Sequence, residues 1–239
     1  MTERHDVYGS ARQNALTRLA GRLAARARRR RHATFVRSVG LLGSDRVLDV
    51  GCGSAGLRAL DHGRHDIVGL DRLPQPRYAG GAEAFVQGDA LAMPFADGEF
   101  AVAYCNSLIE HLDPADRPRL AAEVRRVSDR WFVQTPNRWF PVEPHVLLPL
   151  FQFLPRSLRR RLWRFGASGG EFEDIALLDA RELAELFPDA VIVRERFGPL
   201  TKSLMAIGPG DRLAGAMRSA GAAAPKDRRT RRESRRRAA

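Results

Sequence analysis

The 239-residue sequence has little cysteine, almost no lysine and no long apolar run. Cys52 and Cys105 are too few for a disulfide framework, so we expect a protein of the reducing cytoplasm. No segment approaches the ~20 apolar residues that span a bilayer, so we expect no transmembrane helix. Residues 1–10 lack the apolar stretch of a secretory signal, and we expect none.

The overall composition is that of a globular protein. Hydrophobic residues make up 44% and charged residues 28%, which excludes a fully disordered or fibrous chain. The length suits one sizeable domain with appendages and is too short for two full catalytic domains.

The net charge of +12 is concentrated at the two ends of the sequence. Residues 1–37 carry ten arginines against two acids, and residues 220–239 carry eight basic residues against two acids. We therefore predict a basic N-terminal helical extension (1–40), a catalytic-size domain (41–208) and a basic, disordered tail (209–239). Such ends suit contact with RNA or an anionic membrane, so we expect a cytoplasmic protein that contacts the inner membrane surface peripherally.

Strands alternate with helices through the central domain. The patterns predict an N-terminal helix over 10–31 and another over 32–41. They then predict strands at 46–50, 67–70, 84–87, 100–105, 130–134, 191–197 and 203–207. Asp113-Pro114 and the pair Asp179 and Glu182 are typical helix starts. The alternation indicates an α/β fold with a Rossmann-like, seven-stranded, mostly parallel sheet and helices on both faces.

Residues 136–175 interrupt this alternation after the fifth strand. They combine five prolines with the apolar run 146–154 and several arginines. Ligands of open α/β folds bind beyond the carboxyl ends of the strands, so we predict an inserted lid on the acceptor side of a ligand pocket. Its apolar and arginine-rich character suits a lipid-like acceptor or a membrane surface, although a lid packed only on its own domain has the same composition.

A glycine-rich turn follows the first strand. Gly51, Gly53 and Gly56 form G-x-G-x-x-G, which by itself indicates only close approach of the backbone to a ligand. Asp49 lies two residues before the first glycine, where a carboxylate would repel a pyrophosphate and attract a cationic ligand.

The segment VLDVGCGSAGL around Asp49 resembles motif I of the class I S-adenosylmethionine-dependent methyltransferases. Asp71 closes the second strand, Asp89-Ala90 follow the third and NSLIEHL (106–112) follows the fourth, as in that family. The runs LAMPF and FAVAYCNSLIEHLDP are similar to the bacterial subgroup that includes the ubiquinone-biosynthesis methyltransferases. Ala55 stands where the family commonly has glycine.

The resemblance implies S-adenosylmethionine as cofactor and assigns roles to seven residues. Gly51 and Gly53 would lie against its amino-acid end, with Asp49 near the ammonium group. Asp71 would accept hydrogen bonds from the ribose hydroxyls, because a carboxylate can accept two. Asp89 and the Ala90 backbone would meet the adenine, and Asn106 would lie near the sulfonium. Each acid taken alone could equally be a turn or helix cap.

A general base is needed if the methyl acceptor must lose a proton, and the candidates follow the fourth and fifth strands. Glu110 and His111 belong to the NSLIEHL segment, whereas Glu143 and His145 belong to the insertion. We predict His145, His111 and Glu143 as the catalytic residues, with structural histidines as the alternative. Their spacing in the sequence is not typical of a metal site, so we expect no metal.

The expected function is methylation of a small-molecule, lipid-linked or glycan-type acceptor at oxygen or carbon. The Asn/Asp-Pro-Pro-aromatic motif common in nucleic-acid amine methylation is lacking, and so is a Pro-Cys nucleophile for cytosine C5. One alternative is a degenerate methyltransferase fold that binds RNA or protein as an adaptor. A nicotinamide-dependent reductase is a weaker one, because no Tyr-x-x-x-Lys motif is present.

Overall fold

The structure, a computed structural model, describes residues 15–54, 56–74, 84–164 and 172–211, with only the backbone described over 15–24. The disordered tail predicted over 209–239 therefore lies outside the described residues from position 212 onward. Ala55 in the glycine-rich turn lies outside them as well.

Seven strands form one sheet in the order β3-β2-β1-β4-β5-β7-β6. Within the described part of the chain β7 is the strand that runs antiparallel to its neighbours, β5 and β6. The predicted Rossmann-like, mostly parallel sheet is confirmed. The strands are β1 (Arg46–Val50), β2 (Asp66–Asp71), β3 (Phe85–Gln87), β4 (Phe100–Asn106), β5 (Ser128–Pro136), β6 (Val191–Phe197) and β7 (Leu200–Gly208).

Helices and 3-10 turns connect these strands. The helices are α1 (Ala15–Ser38), α2 (Arg58–Asp61), α3 (Arg117–Val127), α4 (Arg156–Trp163) and α5 (Ala180–Leu186). The 3-10 turns are Ile109–His111 and Phe151–Phe153. As predicted, Asp179 caps α5, because its side chain accepts hydrogen bonds from the amides of Arg181 and Glu182.

Two predicted helix boundaries are wrong. The break predicted at His32 is absent, since α1 runs unbroken to Ser38 and the Thr34 hydroxyl donates to the Arg30 carbonyl inside the helix. Asp113 does not cap α3, because its carboxylate accepts from the amide of Ala115 in a turn that precedes the helix.

The strands bury side chains on both faces, with helices covering each face. In β4, Ala103 and Cys105 lie in the core beneath α3 and α5, whereas Val102 and Tyr104 lie in the core beneath α1. This alternation is the period of two that a strand imposes. A strand buried on both faces reads as a continuous apolar run, as 100–105 does.

Helix α1 packs on the sheet through Phe35, which is fully buried. Its ring centroid lies 4.8 Å from that of Tyr104 and 5.5 Å from that of Phe132. Full burial of a phenylalanine stabilises by about 1.5 to 3 kcal/mol. This contact holds the arginine-rich helix beside the carboxyl ends of β1 and β4.

The insertion after β5 has a small core of its own, formed by Val146, Phe151, Trp163, Ile175 and Leu177. It returns to the domain at Ala176, whose amide donates to the Glu110 carbonyl and whose carbonyl accepts from the Arg117 guanidinium. The insertion is therefore anchored at the strand edge where the site residues lie. No helix in the described ranges is both long and apolar enough to cross a membrane.

Candidate active site

Three acids lie along one edge of the sheet. Asp49 is the penultimate residue of β1, Asp71 is the last residue of β2, and Asp89 follows the end of β3 by two positions. The three strands are parallel and adjacent, so their carboxyl ends meet at the same edge. The structure thus brings together the acids that the sequence predicted as neighbours.

The glycine-rich turn is held to this edge by two of the acids. The Gly53 amide donates to Asp71 Oδ2 at 3.0 Å, and the Leu57 amide donates to Asp49 Oδ2 at 2.5 Å. The other oxygen of Asp71 accepts from the Leu73 amide at 2.9 Å. Each carboxylate therefore organises the loop besides facing the cleft.

Glycine is required at the turn for conformation and for space. Gly51 and Gly53 have φ values of 70° and 56°, which disfavour other residues. A Cβ at Gly51 would lie 3.0 Å from the Leu108 side chain, whereas one at Gly53 would meet nothing within 4 Å and would occupy the open cleft. The bare backbone at Gly53 leaves that space for a ligand.

Burial changes the acidity of Asp49. It is 3% exposed, and this burial, with the nearby charge of Asp71, raises its pKa to about 7 against the opposing effect of the Leu57 amide. A buried carboxylate of this kind favours a cationic ligand group, which would stabilise its charged form.

A cleft of about 450 Å³ opens between the sheet edge and α1. It is lined by Asp49, Gly51 and Asn106 together with Arg28 and Arg31 of α1. Arg31 donates to Asn106 Oδ1 at 2.8 Å and forms an ion pair with Glu195 at 3.2 Å. We call this the helix-side cleft.

The two arginines are site residues that sequence reasoning missed. The arginines of α1 predict only an extension with a basic face. The apolar spacing of Phe35 and Val39 is the sequence signal that could have placed α1 against the sheet, because both residues lie on the face that packs there.

A second cleft of about 500 Å³ shares Gly51 with the first and contains Gly53, Asp71, Asp89 and Ala90. We call it the acid-side cleft. Its far wall includes Leu108, His111 and Glu173. All seven predicted cofactor-binding residues thus line at least one of the two clefts.

In the insertion, His145 and Glu143 form a hydrogen-bonded pair. Their Nδ1 and Oε1 atoms are 2.6 Å apart, and Glu143 Oε2 accepts from the amides of His145 and Val146. Burial alone would lower the pKa of His145, but Glu143, with the charges of Glu110 and Glu173, holds it above its usual value. Glu143, which is 3% exposed, fixes the ring.

The tertiary structure brings His145 to His111, although 33 intervening residues separate them. Their ring centroids are 5.0 Å apart in an edge-to-face arrangement. His111 Nδ1 lies 2.8 Å from Glu173 Oε1, so each histidine has a carboxylate behind it. The three predicted catalytic residues therefore lie in one cluster, the histidine cluster, whose member His111 lines the acid-side cleft.

Glu110 belongs to the same cluster. It is fully buried, its Oε2 accepts from the Thr135 hydroxyl at 3.1 Å, and its Oε1 has no hydrogen-bond partner. One ligand atom from each of Glu110, His111 and His145 lies within 4.8 Å of the others. The expectation that no metal binds came from spacing in the sequence and stays a prediction.

Cys52 and Cys105 are free thiols, and both are buried. Burial raises the pKa of each above its ordinary value, with nearby carboxylates adding to the effect. Such thiols are protonated and weakly nucleophilic, so they take no part in the chemistry derived below.

Comparison with known proteins identifies a family over the first part of the domain. Residues 47–130 match the family model described as a methyltransferase domain. This range contains Asp49, the glycine-rich turn, Asp71, Asp89 and the NSLIEHL segment. No curated protein matches the chain in sequence.

Solved structures share the fold at low sequence identity. Magnesium protoporphyrin IX methyltransferase from Synechocystis PCC 6803, determined with bound S-adenosylhomocysteine, is 12% identical, with a TM-score of 0.52 over 84% of this chain and 90% of that one. A didemethyltoxoflavin N1-methyltransferase from Burkholderia thailandensis is 17% identical, with a TM-score of 0.50 over 74% of each chain. A methyltransferase from Archaeoglobus fulgidus is 15% identical, with a TM-score of 0.50 over 78% of this chain and 93% of that one.

These likenesses show the fold, while the family model covers the strand-end acids and the glycine-rich turn. The resemblance to the ubiquinone-biosynthesis subgroup stays a prediction. Residues 47–130 therefore belong to the methyltransferase-domain family, and the seven-stranded sheet that contains them shares its fold with S-adenosylmethionine-dependent methyltransferases.

Proposed function

We propose that this methyltransferase acts on a small-molecule or lipid-like acceptor, at oxygen or carbon, rather than on a nucleic acid. The observation that carries the proposal is that His111 lines the same cleft as Asp71 and Asp89. His111 therefore connects the histidine cluster to the cleft that contains two of the three cofactor acids. The Synechocystis and Burkholderia enzymes of the same fold are named for small-molecule substrates, which supports this choice.

S-adenosylmethionine supplies an activated methyl group on a positively charged sulfur. Asp71 would accept hydrogen bonds from the ribose, and Asp89 with the Ala90 backbone would meet the adenine. Asp49 would lie by the ammonium group and Asn106, which accepts a hydrogen bond from Arg31, by the sulfonium. Gly51 and Gly53 would leave room for the amino-acid end.

On the acceptor side, the cluster holds the substrate atom and manages its proton. An electron pair of the acceptor atom would form the bond to the methyl carbon, and sulfur would keep the electrons of the bond that breaks. The acceptor's proton would pass to the cluster, whose member His145 is oriented by Glu143. Positioning supplies most of the acceleration, because the methyl carbon is already activated.

Peripheral contact with an anionic membrane or RNA through the basic ends is part of the proposal. The insertion adds support, because it exposes Trp139, Leu150 and Phe153 near the arginines of α4. Exposed apolar groups beside arginines suit the interface of an anionic bilayer. Cosedimentation with anionic vesicles should fall when Arg160 and Arg161 are both changed to Gln. Equal binding to zwitterionic vesicles would contradict the electrostatic part.

Calorimetry with S-adenosylhomocysteine and with NADH tests the cofactor. We expect binding of the first and none of the second. Binding of neither would favour the adaptor alternative, and binding of NADH would favour a reductase. A salt titration of RNA binding by the full chain and by a chain that ends at residue 211 would test the adaptor directly.

The acceptor itself can be sought by mass spectrometry of small molecules that copurify with the protein. A compound that gains one methyl group when the protein and S-adenosylmethionine are added would support the proposed class. Methylation of RNA or DNA in its place would overturn it.

A further inference from the structure

The strongest unexplained feature is the buried carboxylate of Glu110. Its side chain has no solvent exposure, one oxygen receives a single hydrogen bond from Thr135, and the other oxygen receives none. Within the part of the chain that the structure describes, no arginine or lysine forms an ion pair with Glu110 or Glu143. A buried, unpaired carboxylate costs several kcal/mol unless a proton or a cation neutralises it.

We propose that Glu110, His111 and His145 bind a divalent transition-metal ion, with zinc as the best match. This inference rests on the proposed function, because it places the ion on the acceptor side of the same cleft. Two imidazoles and one carboxylate are a donor set that zinc uses at catalytic sites, where a fourth position stays open. Magnesium and calcium prefer oxygen ligands.

The surroundings of the two histidines match those of metal ligands. The Nδ1 atoms of His111 and His145 lie 2.8 and 2.6 Å from the carboxylates of Glu173 and Glu143. A carboxylate bound to one ring nitrogen fixes the ring and makes the other nitrogen a better ligand. An ion bound by both rings would therefore be bound through their Nε2 atoms.

The donor atoms must move closer together to bind zinc. The three donor atoms lie within 4.8 Å of one another. Donors that are each about 2.0 to 2.2 Å from a zinc ion lie roughly 3.3 to 3.6 Å apart in a tetrahedral site. Side-chain rotations that shorten the longest separation by up to about 1.5 Å would complete the site.

The location gives the ion a function. His111 and Glu173 line the cleft that contains Asp71 and Asp89. An ion in this cluster would bind an oxygen of the acceptor, lower the pKa of its hydroxyl and leave an alkoxide or phenolate beside the methyl donor. The released proton would pass to solvent or to Glu173, which is 41% exposed at the cleft wall. This favours an oxygen acceptor over a carbon acceptor.

Zinc chloride titrated into chelator-treated, full-length protein tests the proposal by calorimetry. We expect one zinc ion per chain, with binding at least about 100-fold weaker in Glu110→Gln and in His145→Ala. The Glu143→Gln variant should lose about 10- to 100-fold, as expected for a residue that orients a ligand. His62→Asn is the matched control, because it removes an exposed imidazole at a left-handed position that asparagine tolerates.

The visible absorption of bound cobalt is a second measurement, and it distinguishes loss of the metal site from loss of the fold. Cobalt bound by the wild-type site should show visible bands that Glu110→Gln abolishes, while circular dichroism of that variant stays unchanged. Equal zinc affinity in the wild type and in the Glu110→Gln and His145→Ala variants would overturn the proposal, and so would equal losses in His62→Asn.

S-adenosylhomocysteine binding, measured in the same samples, separates the two hypotheses. Intact binding of S-adenosylhomocysteine without zinc binding would refute only the metal site. Zinc binding without S-adenosylhomocysteine binding would refute the proposed function and leave the metal site standing.

Discussion

The sheet edge with Asp49, Asp71 and Asp89, here called the cofactor edge, meets the histidine cluster at the acid-side cleft through His111, but the two regions are built in different ways. At the cofactor edge, each acid occupies the end of its own strand, and neighbouring parallel strands align the three ends. The residues of the histidine cluster come from three separate segments. These are the turn Ile109–His111, the loop with Glu143 and His145, and Glu173 at the end of the insertion.

This difference shows which parts of a site are local. An acid at a strand end is positioned by the strand and by a loop amide, so its neighbourhood can be inferred from the order of the strands. A histidine in the insertion is positioned by packing across the insertion, which has its own core. Mutations should therefore separate the two regions by their effects on cofactor affinity and on turnover.

The largest expected effect comes from His145→Ala. Loss of a group that manages the acceptor's proton should reduce turnover by about 100-fold or more, since such groups contribute about 10² to 10⁴. S-adenosylhomocysteine affinity should not change, because His145 does not belong to the acid edge. Steady-state kinetics with calorimetry checks both. Equal loss of affinity and turnover would mean that His145 is structural and that the two regions are not separable.

Next in size is Asp71→Ala, which tests the cofactor edge. Loss of two charge-assisted hydrogen bonds to the ribose should weaken cofactor binding by about 1 to 3 kcal/mol. Asp66→Ala is the matched control, since Asp66 begins the same strand at its opposite end and is exposed. Unchanged calorimetric affinity in Asp71→Ala would remove the ribose assignment.

The pKa of Asp49, about 7, predicts a pH dependence of cofactor affinity. The ammonium group of the ligand favours the carboxylate, which is lost as pH falls through 7. Affinity for S-adenosylhomocysteine should therefore be about tenfold lower at pH near 6 than near 8, because the ionised fraction changes by about that factor. Asp71, whose charge acts on Asp49, and Arg31 of the helix-side cleft are the charged groups nearest this site.

The variant Asp49→Asn should abolish this pH dependence. The asparagine side chain can still accept a hydrogen bond from the Leu57 amide, so the glycine-rich turn should keep its conformation. Calorimetry at several pH values measures both chains. A slope that persists in Asp49→Asn would assign the titration to another group.

The smallest expected effect is that of Asp89→Ala. One Asp89 oxygen already accepts from the Leu91 amide at 2.9 Å, and under the proposed assignment this carboxylate contacts only one edge of the adenine. We expect a loss of about 0.5 to 1.5 kcal/mol in cofactor affinity, less than for Asp71→Ala. An equal or larger loss would show that the adenine contact, rather than the ribose contact, dominates at this edge.

The accuracy of the sequence predictions follows the same division. Strands such as Val191–Phe197 were predicted with their observed bounds, because apolar runs and turn residues are local signals. The start of α3 was misplaced, because Asp113 forms a turn in place of a cap. Arg31 could not have been assigned to a cleft, since only the packing of Phe35 on the sheet brings α1 there.

The sequence by itself determined the order of strands and helices, the glycine-rich turn and the three acids at strand ends. Each of these depends on backbone preferences and spacing within a few residues. Only the tertiary structure decided that α1 carries Arg31 to Asn106 and that His145 meets His111 beside the buried Glu110. Those contacts join distant segments, and their geometry follows from how apolar faces pack, which no local pattern encodes.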